Sequence, residues 1–211
     1  MHSTIQTQHS NSNATNFYLG TDSVEKHFPD PAVLPSNLSL VVQRIDDPWP
    51  SAETNPAFSL FDYVHQRFVL PACEKIPKAQ AVKNLAALLA PGGYIELVEN
   101  DHNRPAMESG GFAKGEDMFR QMFMATGGDH EYPKLMKGWL EEAGLVDVTE
   151  EIVQVPIGRK NGNPEMAFKS TWSICSALRG LLPIVRGEWP RGYTSLSLKF
   201  LDIPNFLSGH S

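Results

Sequence analysis

Three apolar runs in this sequence each end in carboxylates, and those carboxylates are where chemistry is offered. Asp22 closes Phe17-Tyr18-Leu19-Gly20-Thr21, Asp46 and Asp47 close Leu38 to Ile45, and Glu96 and Glu99 sit on or just after Tyr94 to Val98. A carboxylate accepts two hydrogen bonds from a vicinal diol without steric demand, so Asp22 is a candidate to hold a ribose. Capping a helical turn is the alternative for it. Asp46 stands where a carboxylate could meet an exocyclic amine while an apolar side chain and Trp49 hold the ring; an Asx turn before Pro48 is the competing explanation. Glu96 and Glu99 either face a cleft or cap a loop. His65 and His102 are the candidate proton acceptors, each with a plain structural alternative, and His130 in Gly127-Gly128-Asp129-His130 reads as loop.

These residues need elements to position them. The organising stretch is Phe58 to Glu99, which reads as strand, crossover helix and strand. Phe58 to His65 is aromatic and β-branched, Lys78 to Ala90 places Ala and Leu at helical spacing, Pro91-Gly92-Gly93 turns the chain, and Tyr94 to Glu99 follows as a strand. Phe17 to Thr21 and Leu38 to Ile45 are further strands, separated by a loop that Pro29, Pro31 and Pro35 keep from being a long helix. Beyond Glu99 the pattern predicts a Met/Phe stripe over Phe112 to Met124, serving as core or as substrate wall. It then predicts a helix over Tyr132 to Ala143 stopped by Gly144, and an alternating strand over Val146 to Val155 added antiparallel at an edge. A helix over Met166 to Leu182 and a weaker strand over Tyr193 to Leu201 complete the chain. Strand, helix and strand in alternation predict an α/β fold, a mostly parallel sheet flanked by helices in which ligands bind beyond the carboxyl ends of the strands.

Composition bounds the function. The 211 residues are 41% hydrophobic and 20% charged, an ordinary balance for one soluble globular domain. A net charge of -6, with no basic cluster longer than Arg159-Lys160, argues against nucleic acid and anionic lipid as partners. Cys73 and Cys175 have no paired-ligand spacing, so neither a disulfide nor a metal site is expected. Met1 to Asn16 is Ser/Asn/Gln/Thr-rich and has the character of neither a signal nor a transit peptide; a disordered polar tail is expected over residues 1–16 and a single domain over 17–211. No run approaches a membrane span, and the cytoplasm, with the nucleus as an alternative, is the expected location.

The runs Gly20-Thr21-Asp22, Ile45-Asp46-Asp47-Pro48-Trp49, Phe61-Asp62-Tyr63-Val64-His65-Gln66-Arg67 and Leu89-Ala90-Pro91-Gly92-Gly93-Tyr94-Ile95-Glu96-Leu97-Val98-Glu99 occur in an order that resembles class I S-adenosylmethionine-dependent methyltransferases. The likeness is strongest to the fungal branch tied to secondary metabolism, and it extends through Gly138 to Val148 to cover roughly Tyr18 to Gly158. It implies a Rossmann-like fold, S-adenosyl-L-methionine as cofactor, a small-molecule substrate and no metal. Residue by residue, it implies Asp22 as the ribose acid, Asp46 near adenine, and Gln66 and Arg67 bordering the methionine end. It also places His102 in a loop where such sites often carry polar residues.

One departure divides the functional expectation. That family begins with a strand and a Gly-x-Gly-x-Gly turn ahead of the ribose acid, whereas Gly20 is the first glycine here. The fold is therefore expected to be incomplete, lacking the first strand and its glycine-rich turn and leaving two strand edges unpaired. Two functions follow. One is a methyltransferase-like protein moving a sulfonium methyl to an O, N, S or C nucleophile of a small molecule, mostly by positioning and desolvation. The other is a non-methylating auxiliary or binding subunit that keeps the fold, has lost the cofactor and gains a protein partner that completes the sheet.

Overall fold

The computed structural model describes residues 3–6, 16–101 and 130–185, with 117, 119 and 120. The chain divides into two compact units, one of Met1–Asp101 with Glu131–Glu150 and the other of His102–His130 with Glu151–Ser211.

The first unit is built on a five-stranded sheet. Its strands are β1 (Ser3–Gln6), β2 (Tyr18–Asp22), β3 (Leu38–Val42), β4 (Phe61–Arg67) and β5 (Leu89–Val98), in the order β3-β2-β1-β4-β5. β2 runs parallel to β3, pairing Tyr18 with Leu38 and Asp22 with Val42, and β4 runs parallel to β5, pairing Tyr63 with Tyr94 and Arg67 with Val98. The two parallel pairs meet through β1, which is antiparallel to both: Thr4 lies opposite Gly20 on one side and His65 on the other.

Here the sequence expectation is corrected. The polar tail does not leave the edges of β2 and β4 open, because Ser3-Thr4-Ile5-Gln6 occupies the position between them. Composition hides this strand, since an interior strand of a largely parallel sheet is normally a near-continuous apolar run and this one has a single apolar residue.

The helix α1 (Lys78–Ala86) links β4 to β5 and buries Ala81, Val82 and Leu85, one stripe at helical spacing. Against it lies α2 (Tyr132–Glu142), whose Tyr132, Met136, Trp139 and Leu140 join the core with Leu19, Phe61, Val64 and Leu70. Gly144, at φ +91, closes α2. Its amide donates to the Glu141 carbonyl at 3.0 Å, and that of Leu145 donates to Leu140 at 3.1 Å, the paired bonds of a left-handed helix end.

Pro91-Gly92-Gly93 does not separate helix from strand as expected. α1 ends at Ala86, β5 has begun by Leu89, and the three residues form an irregularity within β5 where Asp62 stands opposite Ala90 to Gly93. A Cβ on Gly93 would fall 3.0 Å from the carbonyl oxygens of Ala90 and Phe61 and 3.1 Å from that of Asp62, so backbone crowding demands glycine there. Phe58 likewise lies in a 3-10 turn, Pro56–Phe58, before β4 rather than at its start.

The expected edge strand over Val146 to Val155 is also corrected. That segment has no strand structure, and Val146, Ile152, Val153 and Val155 are exposed.

In the second unit a 3-10 turn, Gly158–Asn161, precedes the long helix α3 (Pro164–Val185). The Asn163 side chain accepts from the amides of Glu165 (3.0 Å) and Met166 (3.2 Å), and Pro164 follows it, the sequence signature of a helix start. Met166, Phe168 and Trp172 are exposed on α3. Most of Phe112 to Met124, and all of Tyr193 to Leu201, lie outside the described residues. No helix among the described residues is long and apolar enough to cross a membrane.

Candidate functional site

A cavity of about 230 Å³ opens at the carboxyl ends of β2, β3 and β4, lined among others by Asp22, Arg44, Asp46, Trp49, His65 and Gln66. The first unit thus gathers most of the residues singled out in the sequence. Arg67 is the exposed last residue of β4, its guanidinium 5.6 Å from the Phe68 ring, and does not line the cavity. His102 lies outside the described residues.

Asp22 is buried at the tip of β2. Its Oδ1 accepts the Val24 amide at 2.8 Å and lies 3.3 Å from His27 Nδ1, so the carboxylate organises the turn that follows as well as facing the cavity. The sequence reading did not single out His27, five residues beyond Asp22.

Asp46 accepts four hydrogen bonds. Arg44 Nε reaches Oδ1 at 2.8 Å and Nη2 reaches Oδ2 at 3.0 Å, while the amides of Glu74 and Lys75 donate to Oδ2 at 2.8 and 3.1 Å. Burial pushes this carboxyl upward, but the Arg44 and amide hydrogen bonds outweigh it and hold the group well below the usual carboxylate range. Asp46 therefore ties the end of β3 to the segment after β4. The Asx-turn expectation identified a structural duty but not its partner, because Arg44 stands only two residues away while the amides come from a distant loop.

Glu99 caps a loop, the second of the two readings open to it. Oε1 accepts from Gln66 Nε2 at 2.6 Å, Leu70 N at 2.9 Å and Val69 N at 3.0 Å, and Oε2 accepts from Tyr132 Oη at 2.9 Å. Burial raises its pKa, opposed by these donors, and burial with the neighbouring Glu99 charge keeps the Tyr132 phenol protonated. The chain reaches this geometry through Phe68, whose φ of 57° is rare for a bulky residue and costs about 1–3 kcal/mol.

Two lining groups lack a partner among the described residues. Gln66 is 1% exposed, its amide nitrogen is held by Glu99, and its Oε1 is left without a donor. Trp49 packs edge-on against Phe58 at 6.0 Å, and its Nε1–H has no acceptor. A buried acceptor and a buried donor at one cavity each cost free energy unless something else meets them, which is what a polar heterocyclic ligand does.

The chain is similar to several curated fungal proteins. The chain is 35% identical over 174 residues to the N-methyltransferase tcpN of Claviceps purpurea, a match covering 80% of the chain and 60% of that protein. It is 33% identical over 198 residues to the N-methyltransferase sirN of Leptosphaeria maculans, covering 89% and 66% respectively. To the N-methyltransferase gliN of Aspergillus fumigatus it is 31% identical over 169 residues, covering 76% and 58%. The chain is a relative of fungal methyltransferases. It spans roughly three fifths to two thirds of the length of these curated relatives. No protein-family model and no solved structure matches this methyltransferase-related chain.

Proposed function

We propose that the chain is an S-adenosylmethionine-dependent methyltransferase-like protein acting on a small molecule of fungal secondary metabolism, with nitrogen as the methyl acceptor. The observation that carries this reading is the cavity at the carboxyl ends of β2 to β4, where Asp22, the Trp49 indole and the Gln66 carbonyl oxygen converge in a chain related to N-methyltransferases. The donor set fits the adenosine part of the cofactor. Asp22 supplies carboxylate acceptors for a vicinal diol, Trp49 Nε1 supplies a donor to a ring nitrogen, and Gln66 Oε1 supplies an acceptor for an N–H or O–H group. When bound, the cofactor contributes an electrophilic sulfonium methyl. The chain's own part is to bind, orient and desolvate, for which its apolar walls at Ile45, Val69 and Leu85 serve.

Calorimetric titration with S-adenosylmethionine tests the reading. Asp22→Ala is expected to weaken binding by about 1–3 kcal/mol, the cost of leaving buried hydroxyl groups unpaired. Equal affinity of variant and parent rejects the ribose assignment and the cofactor site with it.

A further inference from the structure

His65 alternates along β4 with the buried Val64 and Gln66, so its ring belongs to the opposite face of the sheet, at the strand end that lines the cavity. Across the parallel ladder it is in register with Glu96 of β5. Its Nδ1 lies 2.7 Å from Glu96 Oε2, and the Tyr63 hydroxyl donates to that same oxygen at 2.6 Å. The Tyr63 hydrogen bond first, and that of His65 second, hold the Glu96 carboxyl below its usual range, so near neutral pH it is ionised and can only accept. Burial and the Glu96 charge in turn push the Tyr63 phenol up to about 12, so it remains the donor. With an acceptor-only oxygen at 2.7 Å, the hydrogen of a neutral imidazole must sit on Nδ1. Nε2 then carries the lone pair, and among the described residues it has no partner.

From this we infer that Glu96 is a positioning residue that fixes His65 in the Nδ1–H tautomer, leaving Nε2 as the proton acceptor for the methyl-accepting group. The inference rests on the methyl-transfer reading above. The step would balance: the acceptor's N–H bond breaks and its proton passes to Nε2, the electron pair left on nitrogen forms the N–CH3 bond, and the S–CH3 bond of a sulfonium donor breaks with its pair leaving on sulfur as a thioether. His65 becomes an imidazolium beside the Glu96 carboxylate, which offsets its charge. A cross-strand pair that merely steadied the sheet would fix the same tautomer, so the acceptor role requires in addition that Nε2 be accessible.

The test is the 15N spectrum of the imidazoles in the full chain at a pH where they are neutral, with the His65 signals assigned by their loss in His65→Gln. The expected result is Nδ1–H at His65 in the parent and a change to mostly Nε2–H in Glu96→Ala. Glu96→Gln, whose amide oxygen still accepts, should retain the parent tautomer and guards against a variant that fails to fold. Nε2–H in the parent, or no change in Glu96→Ala, overturns the inference. Diethyl pyrocarbonate gives a second readout: His65 should be modified in the parent at neutral pH, and an unreactive His65 would show that Nε2 is not available. Titration with S-adenosylmethionine separates the two claims. A chain that binds it but shows Nε2–H loses only the assignment of the base. A chain with the Nδ1–H tautomer that binds no adenosine compound loses the methyl-transfer reading, and His65 its role as acceptor.

Discussion

Gln66 Nε2 donates to Glu99 Oε1 at 2.6 Å, and this one bond decides what Gln66 shows the cavity. Glu99 Oε1 also accepts the Val69 and Leu70 amides, so only the donor end of the Gln66 amide can face it, and Glu99 fixes which end is spent and which is left over. The same carboxylate gathers the Val69 and Leu70 amides and the Tyr132 hydroxyl, joining the end of β4, the loop after it and α2. Glu99→Ala would leave those donors buried and unpaired, and is expected to lower stability by about 3 kcal/mol in urea unfolding. A loss below about 0.5 kcal/mol, the size of an ordinary surface substitution, would show that the carboxylate is not the anchor described.

Asp46 makes the pH-dependent prediction. Its folded pKa is depressed, so the stability it contributes is fully present above the unfolded value of about 3.9 and is lost as pH falls from there through the folded value. Asp46→Asn is expected to cost about 3 kcal/mol at pH 7, the size seen when one partner of a buried pair is removed. The gap between parent and variant should stay constant down to the ordinary carboxylate range and narrow below it. A gap that widened on acidification would contradict the assigned direction.

Gly93→Ala tests the crowding inside β5. A new methyl group must displace three backbone oxygens rather than a flexible side chain, so a loss of about 1–3 kcal/mol is expected on thermal or urea unfolding. Gly138→Ala, where nothing lies within 4 Å of the added atom, is the control and should be neutral or slightly stabilising, since alanine favours the helix more than glycine does.

Much of this was legible in the sequence, for reasons particular residues show. The period change between Phe61 to Val64 and Lys78 to Leu85 reports directly which face each element buries, so the β4–α1–β5 unit and its parallel pairing could be read. Asp22 could be named because it closes an apolar run, and Gln66 was implied by the family resemblance; both line the cavity. What escaped depended on partners distant in sequence. Ser3–Gln6 has too little apolar content to announce an interior strand and is held by its neighbours' backbones. Asp46 meets Glu74 and Lys75, and Glu99 meets Tyr132, across gaps no local pattern encodes. The reverse error occurred at Val146 to Val155, where period-two alternation exists without a strand.

The central claim is that the cavity takes the adenosine part of a sulfonium cofactor, and Trp49 offers the most direct view of it. Its indole Nε1–H should shift saturably on titration with S-adenosylmethionine or adenosine, with the assignment made by its loss in Trp49→Phe and with Trp139 and Trp172 as internal references in the same spectrum. No glycine precedes Gly20 in this chain, so the amino-acid end gains no glycine-rich turn from it, and binding of the isolated chain should be weak, in roughly the millimolar range, about −4 kcal/mol. A saturable shift at Trp49 that weakens in Asp22→Ala is the result the account predicts. An indole signal that stays in place well beyond that range, or one that shifts equally with and without Asp22, would contradict it.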